Sequence, residues 1–243
     1  MTFDPTADRL RWAEDRAHAL RRLYGELDGI DLLRAMIQKE YPGRIAVTSS
    51  FGAEAAVLLD MVARVDPAIP VLVLDTGKLF SETYAYIERL SNHLGLTDVR
   101  LYRPSDEEVM AEDPEGALYK SDPDACCNLR KARPLAGALR SFDAWITGRK
   151  RFHGGARSKL HTIEAQDGRI KINPLATWEQ GWIDDSFEER NLPRHPLVFE
   201  GYLSIGCTTC TAPVAAGEGV RDGRWRGRDK TECGIHCSAR SAQ

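Results

Sequence analysis

A doubly wound, mostly parallel α/β sheet with a flexible C-terminal redox tail is the fold class this sequence predicts, on three observations. Short apolar runs alternate with stretches of helical spacing between residues 44 and 147. Such alternation implies parallel strands with helices on both faces. Two of the runs, residues 44–48 and 71–75, pass directly into small-residue loops, Ser49-Ser50-Phe51-Gly52 and Thr76-Gly77, and then into helices. Free backbone N–H groups and the helix dipole make a loop of this kind an anion site. Past residue 200 the pattern changes to glycine, cysteine and interspersed charge, which reads as a mobile basic tail. The chain is therefore divided into an α/β nucleotide-binding body over 1–200 and a C-terminal segment over 201–243.

Helical stretches at residues 8–23 and 29–40, with Ile30, Leu33 and Ile37 at helical spacing, open the chain as packing elements. The strand of residues 44–48 leads through the Ser49 loop to an apolar helix ending at Val65, and the strand of 71–75 leads to a helix over 81–94. A third strand, 99–102, is followed by an acidic segment and a helix over 124–140; a fourth, 144–147, ends at Gly148. In sheets of this class ligands sit at the carboxyl ends of the strands, where the Ser49, Thr76 and Gly148 loops gather. Residues 161–165 and 169–172 flank Asp167-Gly168, a hairpin signal. A helix over 177–189 and a rigid connector, Asn191-Leu192-Pro193-Arg194-His195-Pro196, complete the body.

The chain of 243 residues is long enough for a full core, and 42% hydrophobic with 28% charged residues is a globular composition. A net charge of −3 argues against general nucleic-acid affinity, so an anionic ligand must be met by local basic patches. There is no apolar run of about 18 residues and no signal-peptide core, so no membrane is expected and the expected location is cytoplasmic. The oligomeric state is left open, a homo-oligomer included. The 6 cysteines fall into pairs, Cys126 and Cys127, Cys207 and Cys210, Cys233 and Cys237. In a chain of this size without a signal sequence, that clustering favours metal ligation and thiol chemistry over disulfides.

Neither the P-loop pattern nor a G-x-G-x-x-G after a strand is present. Instead the Ser49-Ser50-Phe51-Gly52 loop is of the kind found in adenine-nucleotide alpha hydrolases, where serine and glycine cradle a phosphate. The stretch Gly148 to Lys159 carries Arg149, Lys150, Arg151, Arg157 and Lys159 without an acid, directly after a predicted strand end. Its arginine forks suit phosphate or sulfate oxygens over the pocket. The Cys126-Cys127 pair, with Cys207-Thr208-Thr209-Cys210, supplies thiolates enough for an iron–sulfur cluster or a structural zinc, and spacing does not choose between them. Cys233, near Arg221, Arg224, Arg226, Arg228 and Lys230 and three residues before His236, has surroundings that favour thiolate. We read it as a nucleophile on a tail that closes over an anionic substrate.

Jointly, these residues resemble the assimilatory adenylyl-sulfate (APS) reductases of the phosphoadenylyl-sulfate/adenylyl-sulfate reductase family. The resemblance rests on Ser49 to Glu54, Leu74-Asp75-Thr76-Gly77, Cys126-Cys127 with Arg130-Lys131, and Thr147 to Arg151. It continues through Ile172-Asn173-Pro174-Leu175, Gly206 to Cys210 and Glu232-Cys233-Gly234-Ile235-His236. It implies thioredoxin-dependent reduction of APS to sulfite and AMP through an S-sulfocysteine on Cys233, within sulfate assimilation and cysteine biosynthesis. It also implies a 4Fe-4S cluster on Cys126, Cys127, Cys207 and Cys210, with Lys131 between cluster and substrate. Ser49, Ser50, Gly52, Thr76, Gly77 and Gly148 would line the substrate site, and Arg149, Arg151, Arg157, Arg221 and Arg224 would surround the phosphosulfate. His236 is read as holding the tail in preference to biasing the thiol's ionisation.

The chain departs from the family pattern at Phe152-His153-Gly154, where relatives carry an acidic or aromatic residue followed by glutamine and serine. It departs again at the basic run Arg226-Gly227-Arg228, and Cys237 lies beyond the usual motif as a spare or resolving thiol. The rival readings are a reductase of the 3'-phosphorylated substrate (PAPS) or of both substrates, a non-catalytic metal-binding module, and a tRNA thiolase. The last would want a broader basic face than this chain offers.

Overall fold

The computed structural model describes residues 5–236. Its strands β1 (Ile45–Thr48), β2 (Val71–Leu74), β3 (Val99–Tyr102), β4 (Ala144–Ile146), β5 (Ile163–Gln166) and β6 (Arg169–Ile172) form a 6-stranded sheet in the order β3-β2-β1-β4-β6-β5. All neighbours run parallel except the β5–β6 hairpin. Asp167 (φ 50°) and Gly168 (φ 72°) both take the left-handed conformation at its turn, as a two-residue turn of the primed kind demands. The chain enters at the middle of the sheet, winds outward through β2 and β3, and then crosses to β4 on the other side of β1. The loops leaving β1 and β4 therefore diverge, and a crevice opens between them.

Helices pack on both faces because alternate strand residues point to opposite sides and both sides are apolar. Ile45, Val47, Val71, Val73, Ala144 and Ile146 join one buried cluster with Leu32, Leu33, Val57, Leu59 and Ile183. These last come from α2 (Gly29–Arg34), α3 (Ala55–Val65) and α9 (Gln180–Glu189), and α1 (Pro5–Tyr24) adds Ala17 and Leu20. Ala46, Leu72 and Trp145 turn the other way and meet Leu135, Ala138, Leu139 and Phe142. The helix α4 (Ser81–Leu94) coincides with its expected span and stops at Gly95, whose φ of 68° caps it.

Several helical expectations are corrected. The acidic segment after β3 holds a helix, α5 (Asp106–Glu112), started by a capping box between Ser105 and Glu108. Next comes α6 (Leu118–Ser121), and the helix expected over 124–140 is segmented. It opens as α7 (Pro123–Cys127), whose N-cap Asp122 accepts from the amides of Asp124 and Ala125. It widens to a π-type turn at Asn128–Ala132, resumes as α8 (Arg133–Ala138) and ends in a 3-10 turn, Leu139–Ser141. Pro134 cannot donate to the turn before it, and that turn opens. Similarly, the second opening helix ends in a π-type segment, Ala35–Glu40. The helix expected to begin at residue 177 begins at Gln180.

From residue 201 to 236 the chain has only 3-10 turns and isolated bridges, Leu79 with Cys207 and Thr211 with Arg224. As far as His236 this segment lies against the body through contacts such as Gln166 with Ile235 and Lys230 with Asp124. No helix among the described residues is long and apolar enough to cross a membrane.

Candidate active site

A cavity of about 210 Å³ lies at the crevice between the β1 and β4 loops. Its first wall is Ser49, Ser50, Gly52 and Glu54. Phe51 anchors that loop: it is fully buried, its φ of 45° is unusual for a residue with a side chain, and its amide donates to Ser49 Oγ at 3.1 Å. A Cβ on Gly52 would stand 3.2 Å from the Ile205 carbonyl, so the C-terminal segment lies directly on the loop. The second wall is Gly148, Arg149, Lys150, His153 and Arg157; the third is residues 203–207 with Arg221, Arg224 and Trp225. Cys233 and His236 close the cavity, and Lys131 reaches it from the turn after the cysteine pair.

Most predicted site residues thus meet in one place, but Thr76, Gly77 and Arg151 do not line it. The end of β2 is covered by the strand-like contact of Leu79 with Cys207, so Thr76 faces the cysteines and its Oγ1 lies 3.3 Å from Cys207 Sγ. Gly77 faces Arg130, whose Nη1 donates to the Thr76 carbonyl at 2.9 Å and whose Nη2 binds Asp113 at 2.7 Å in a buried pair. Arg151 begins the 3-10 turn Arg151–His153, which swings it outward, exposed, to donate Nε to the Leu160 carbonyl at 2.7 Å.

The cavity is cationic against a few fixed acids. Burial lowers the affinity of Arg149 and Arg221 for their protons, Arg221 to about 10, with the Arg157 charge adding to both. Arg149, only 7% exposed, has a side-chain Nε with no hydrogen-bond partner. Arg224 lies 4.4 Å over the ring of buried Trp225 and passes so close to Gly206 that a Cβ there would collide with its guanidinium. Burial works against ionised Glu54, yet His153 and Lys150 outweigh it and hold its carboxyl down to about 2. Lys171 on β6, 1% exposed and 4.8 Å over the Trp145 ring, is pushed down to about 7 by burial and by Arg149.

The tail is held by specific contacts. His236 stacks parallel on Trp145 at 6.2 Å between centroids, and burial with the nearby Lys171 charge keeps its ring neutral. Gln166 Nε2 donates to the Ile235 carbonyl at 3.0 Å, and Lys230 pairs with Asp124. Glu232 is gripped by Arg157, with Arg221 at 3.5 Å. Glu54, Lys150, His153, Glu232 and Lys171 were not among the predicted site residues. The acid-free run after β4 and the Glu-Cys-Gly-Ile-His motif were the available signals for Lys150 and Glu232; nothing local marked Lys171. Cys237 lies outside the described residues.

Cys126, Cys127 and Cys207 are buried and Cys210 half-buried, all as free cysteines. Cys126 is within electrostatic reach of Cys207 and Cys210, and Cys127 of Cys207. Burial pushes the Cys126 and Cys127 thiols up, Cys127 to about 11. Burial also opposes ionisation of Cys207, but Lys131 and Thr76 outweigh it and bring the thiol down. Lys131 in turn is held charged, against its own burial, by Cys207, Cys233 and Cys127. Among the described residues no three His, Cys, Asp or Glu side chains converge as a single metal ion requires. Four cysteines gathered in this way are a donor set that an iron–sulfur cluster or a structural zinc would take.

The model of the phosphoadenosine phosphosulfate reductase domain matches residues 44–213. The chain belongs to this family. It is 46% identical to the adenosine 5'-phosphosulfate reductase of Mesorhizobium japonicum (strain LMG 29417 / CECT 9101 / MAFF 303099), over 92% of this chain and 88% of that one. It is also 46% identical to the adenosine 5'-phosphosulfate reductase of Chelativorans sp. (strain BNC1), over 92% of each. Among solved structures, the phosphoadenylyl-sulfate reductase of Candida auris in its phosphate complex superposes with a TM-score of 0.69 at 25% identity, over 87% of this chain and 99% of that one. The family's fold is the adenine-nucleotide alpha hydrolase type, which agrees with the sheet order and with the loop that closes the cavity at Ser49.

Proposed function

We propose that the chain reduces adenosine 5'-phosphosulfate to sulfite and AMP, with Cys233 as nucleophile and thioredoxin as electron donor. The observation that carries this reading is that Cys233 opens into the same cavity as the Ser49–Gly52 loop and Lys131, Arg149, Arg157, Arg221 and Arg224. The relatives' names, adenosine 5'-phosphosulfate reductase, support the substrate. The Cys233 thiolate attacks the sulfate sulfur, the bond from sulfur to the phosphate oxygen breaks, and AMP leaves with both electrons of that bond. Fixed cations offset the repulsion between thiolate and sulfonate. A thioredoxin thiolate then attacks the Cys233 sulfur, expelling sulfite and leaving a mixed disulfide; the donor's second thiol resolves it, so its dithiol supplies the two electrons.

Cys126, Cys127, Cys207 and Cys210 would hold a 4Fe-4S cluster, which when bound supplies a redox-capable centre beside Lys131. Lys131, between these sulfurs and Cys233, would place its charge against both the cysteines and the substrate's anionic end. The test is anaerobic incubation of the protein with APS or PAPS labelled with sulfur-35, without reductant. Label retained on Cys233 from APS supports the reading, retention from PAPS alone transfers it to the 3'-phosphorylated substrate, and retention from neither overturns it. About four irons per chain are expected in the same preparation; stoichiometric zinc would replace the cluster by a structural zinc site.

A further inference from the structure

Arg149 and Arg157 leave the same loop and enter the same cavity, but they are committed differently. Arg149 Nε has no partner and its Nη1 stands 3.7 Å from Glu164, whereas the Arg157 guanidinium, 8% exposed, is occupied on two sides. Its Nε and Nη2 form a fork on the Glu232 carboxylate, with Nη2 to Oε2 at 2.9 Å. Its Nη1 lies 3.1 Å from His153 Nδ1. A guanidinium only donates, so Nδ1 must accept, and the ring proton is assigned to Nε2. That nitrogen stands 3.2 Å from Glu54 Oε2, off the line of a good hydrogen bond, and Lys150 Nζ holds the same oxygen at 2.7 Å. A chain of contacts therefore runs from Glu54, just before α3, through His153 and Arg157 to Glu232, the residue before the nucleophile.

We propose that His153 is a positioning residue: set against Glu54, it aims Arg157 at Glu232 and so latches the Cys233 tail over the cavity. Arg157 accordingly serves the tail, and Arg149 is left for the substrate. The groups facing the His153 ring are Glu54, Lys150 and Arg157; burial and the two cations outweigh the carboxylate and lower its pKa, so the ring is neutral at pH 7. Acid protonates Nδ1, Arg157 loses its acceptor, and the latch opens. The proposal rests on the reductase reading for its rate measurement but not for its measurement of tail docking.

The full chain, purified anaerobically, is compared with Glu232→Gln, His153→Leu, His153→Gln and the swapped pair Arg157→Glu with Glu232→Arg. The readouts are AMP affinity, the reductant-free rate of sulfur-35 labelling from APS, and tryptic cleavage after Arg226, Arg228 or Lys230. Glu232→Gln and His153→Leu should leave AMP affinity within about twofold, slow labelling by about tenfold or more, and speed tail cleavage, as loss of a charge-assisted fork implies. His153→Gln, whose amide both accepts and donates, should recover the rate and lose the fall in labelling on the acid side of the ordinary histidine range. The swapped pair should recover tail protection. AMP affinity that falls in step with labelling, or tail cleavage unchanged in Glu232→Gln, overturns the latch. If the parent takes no label from APS, the reductase reading fails, while the cleavage arm still decides the latch.

Discussion

The body and the C-terminal segment are held by different forces. In the sheet, alternate residues of β1, β2 and β4 are buried on both faces, so each strand is fixed by apolar area on either side. Between residues 201 and 236 the apolar anchors are few: Ile205 in a small cluster, Cys207, and Trp225 under its cations. Ile235 and Tyr202 add partly buried contacts, and much of the rest joins a charged or polar group to its partner, such as Lys230 with Asp124, Arg157 with Glu232, and Arg228 with the Tyr119 carbonyl. Apolar burial is non-directional and large in sum, whereas the desolvation cost of a buried ion pair offsets much of its attraction and the pair defines one geometry. The body therefore carries the stability and the segment carries the placement of chemistry.

That division predicts opposite outcomes for two substitutions. Cys233→Ser has the largest effect: sulfite formation and the covalent adduct are lost together, while the melting temperature and AMP affinity stay at the parent's values. Sulfite release at a substantial rate from this variant would remove Cys233 from the mechanism. Leu59→Ala, at a fully buried position of α3, should cost about 2–5 kcal/mol in urea unfolding. Activity per folded molecule should be kept, because no Leu59 atom reaches the cavity. An equal loss of specific activity in Leu59→Ala would mean that body and segment are not separable.

The same division explains what was legible in the sequence. Strands and the hairpin were legible because their signals are local: apolar runs of four or five residues, and Asp167-Gly168 at a turn that needs two left-handed residues. The broken helix at Asn128–Ala132 was not, since its widening depends on how Pro134 and the packing of Arg130 on Asp113 share the turn. Ser105 and Glu108 were a readable capping signature that the acidic composition obscured. In the site, the cations near the β4 loop were legible as a class. Their individual directions were not: Arg149 and Arg157 turn inward and Arg151 outward because a 3-10 turn intervenes. Partners such as Glu232 for Arg157 lie 75 residues apart, beyond any local pattern.

A smaller effect sharpens the comparison inside the cavity. Arg149→Ala should weaken APS or AMP binding by about 1.5–3 kcal/mol, as loss of a charge-assisted bond from a buried guanidinium implies. Tail cleavage by trypsin should be unchanged, in contrast to Glu232→Gln. Isothermal titration against AMP with a parallel digest reads both; accelerated cleavage in Arg149→Ala would put this arginine with the tail.

The last prediction concerns the joint between the two regions. The connector into the C-terminal segment passes His195, which is fully buried against α4. Its Nδ1 accepts the Leu197 amide at 3.2 Å, so its proton is on Nε2, 3.1 Å from Thr83 Oγ1, and its ring meets Tyr86 edge-on at 4.8 Å. Burial pushes its pKa down to about 4, from an ordinary value of 6.5, against the upward pull of Glu82. Below pH 6.5 the unfolded chain takes up a proton that the folded chain refuses until about pH 4. The stabilising contribution is thus complete above pH 6.5 and declines as pH falls toward 4, by about 3 kcal/mol in all. His195→Gln removes the proton uptake, so its unfolding free energy should approach the parent's across that interval. Parallel curves of free energy against pH for parent and variant would show that the joint does not titrate.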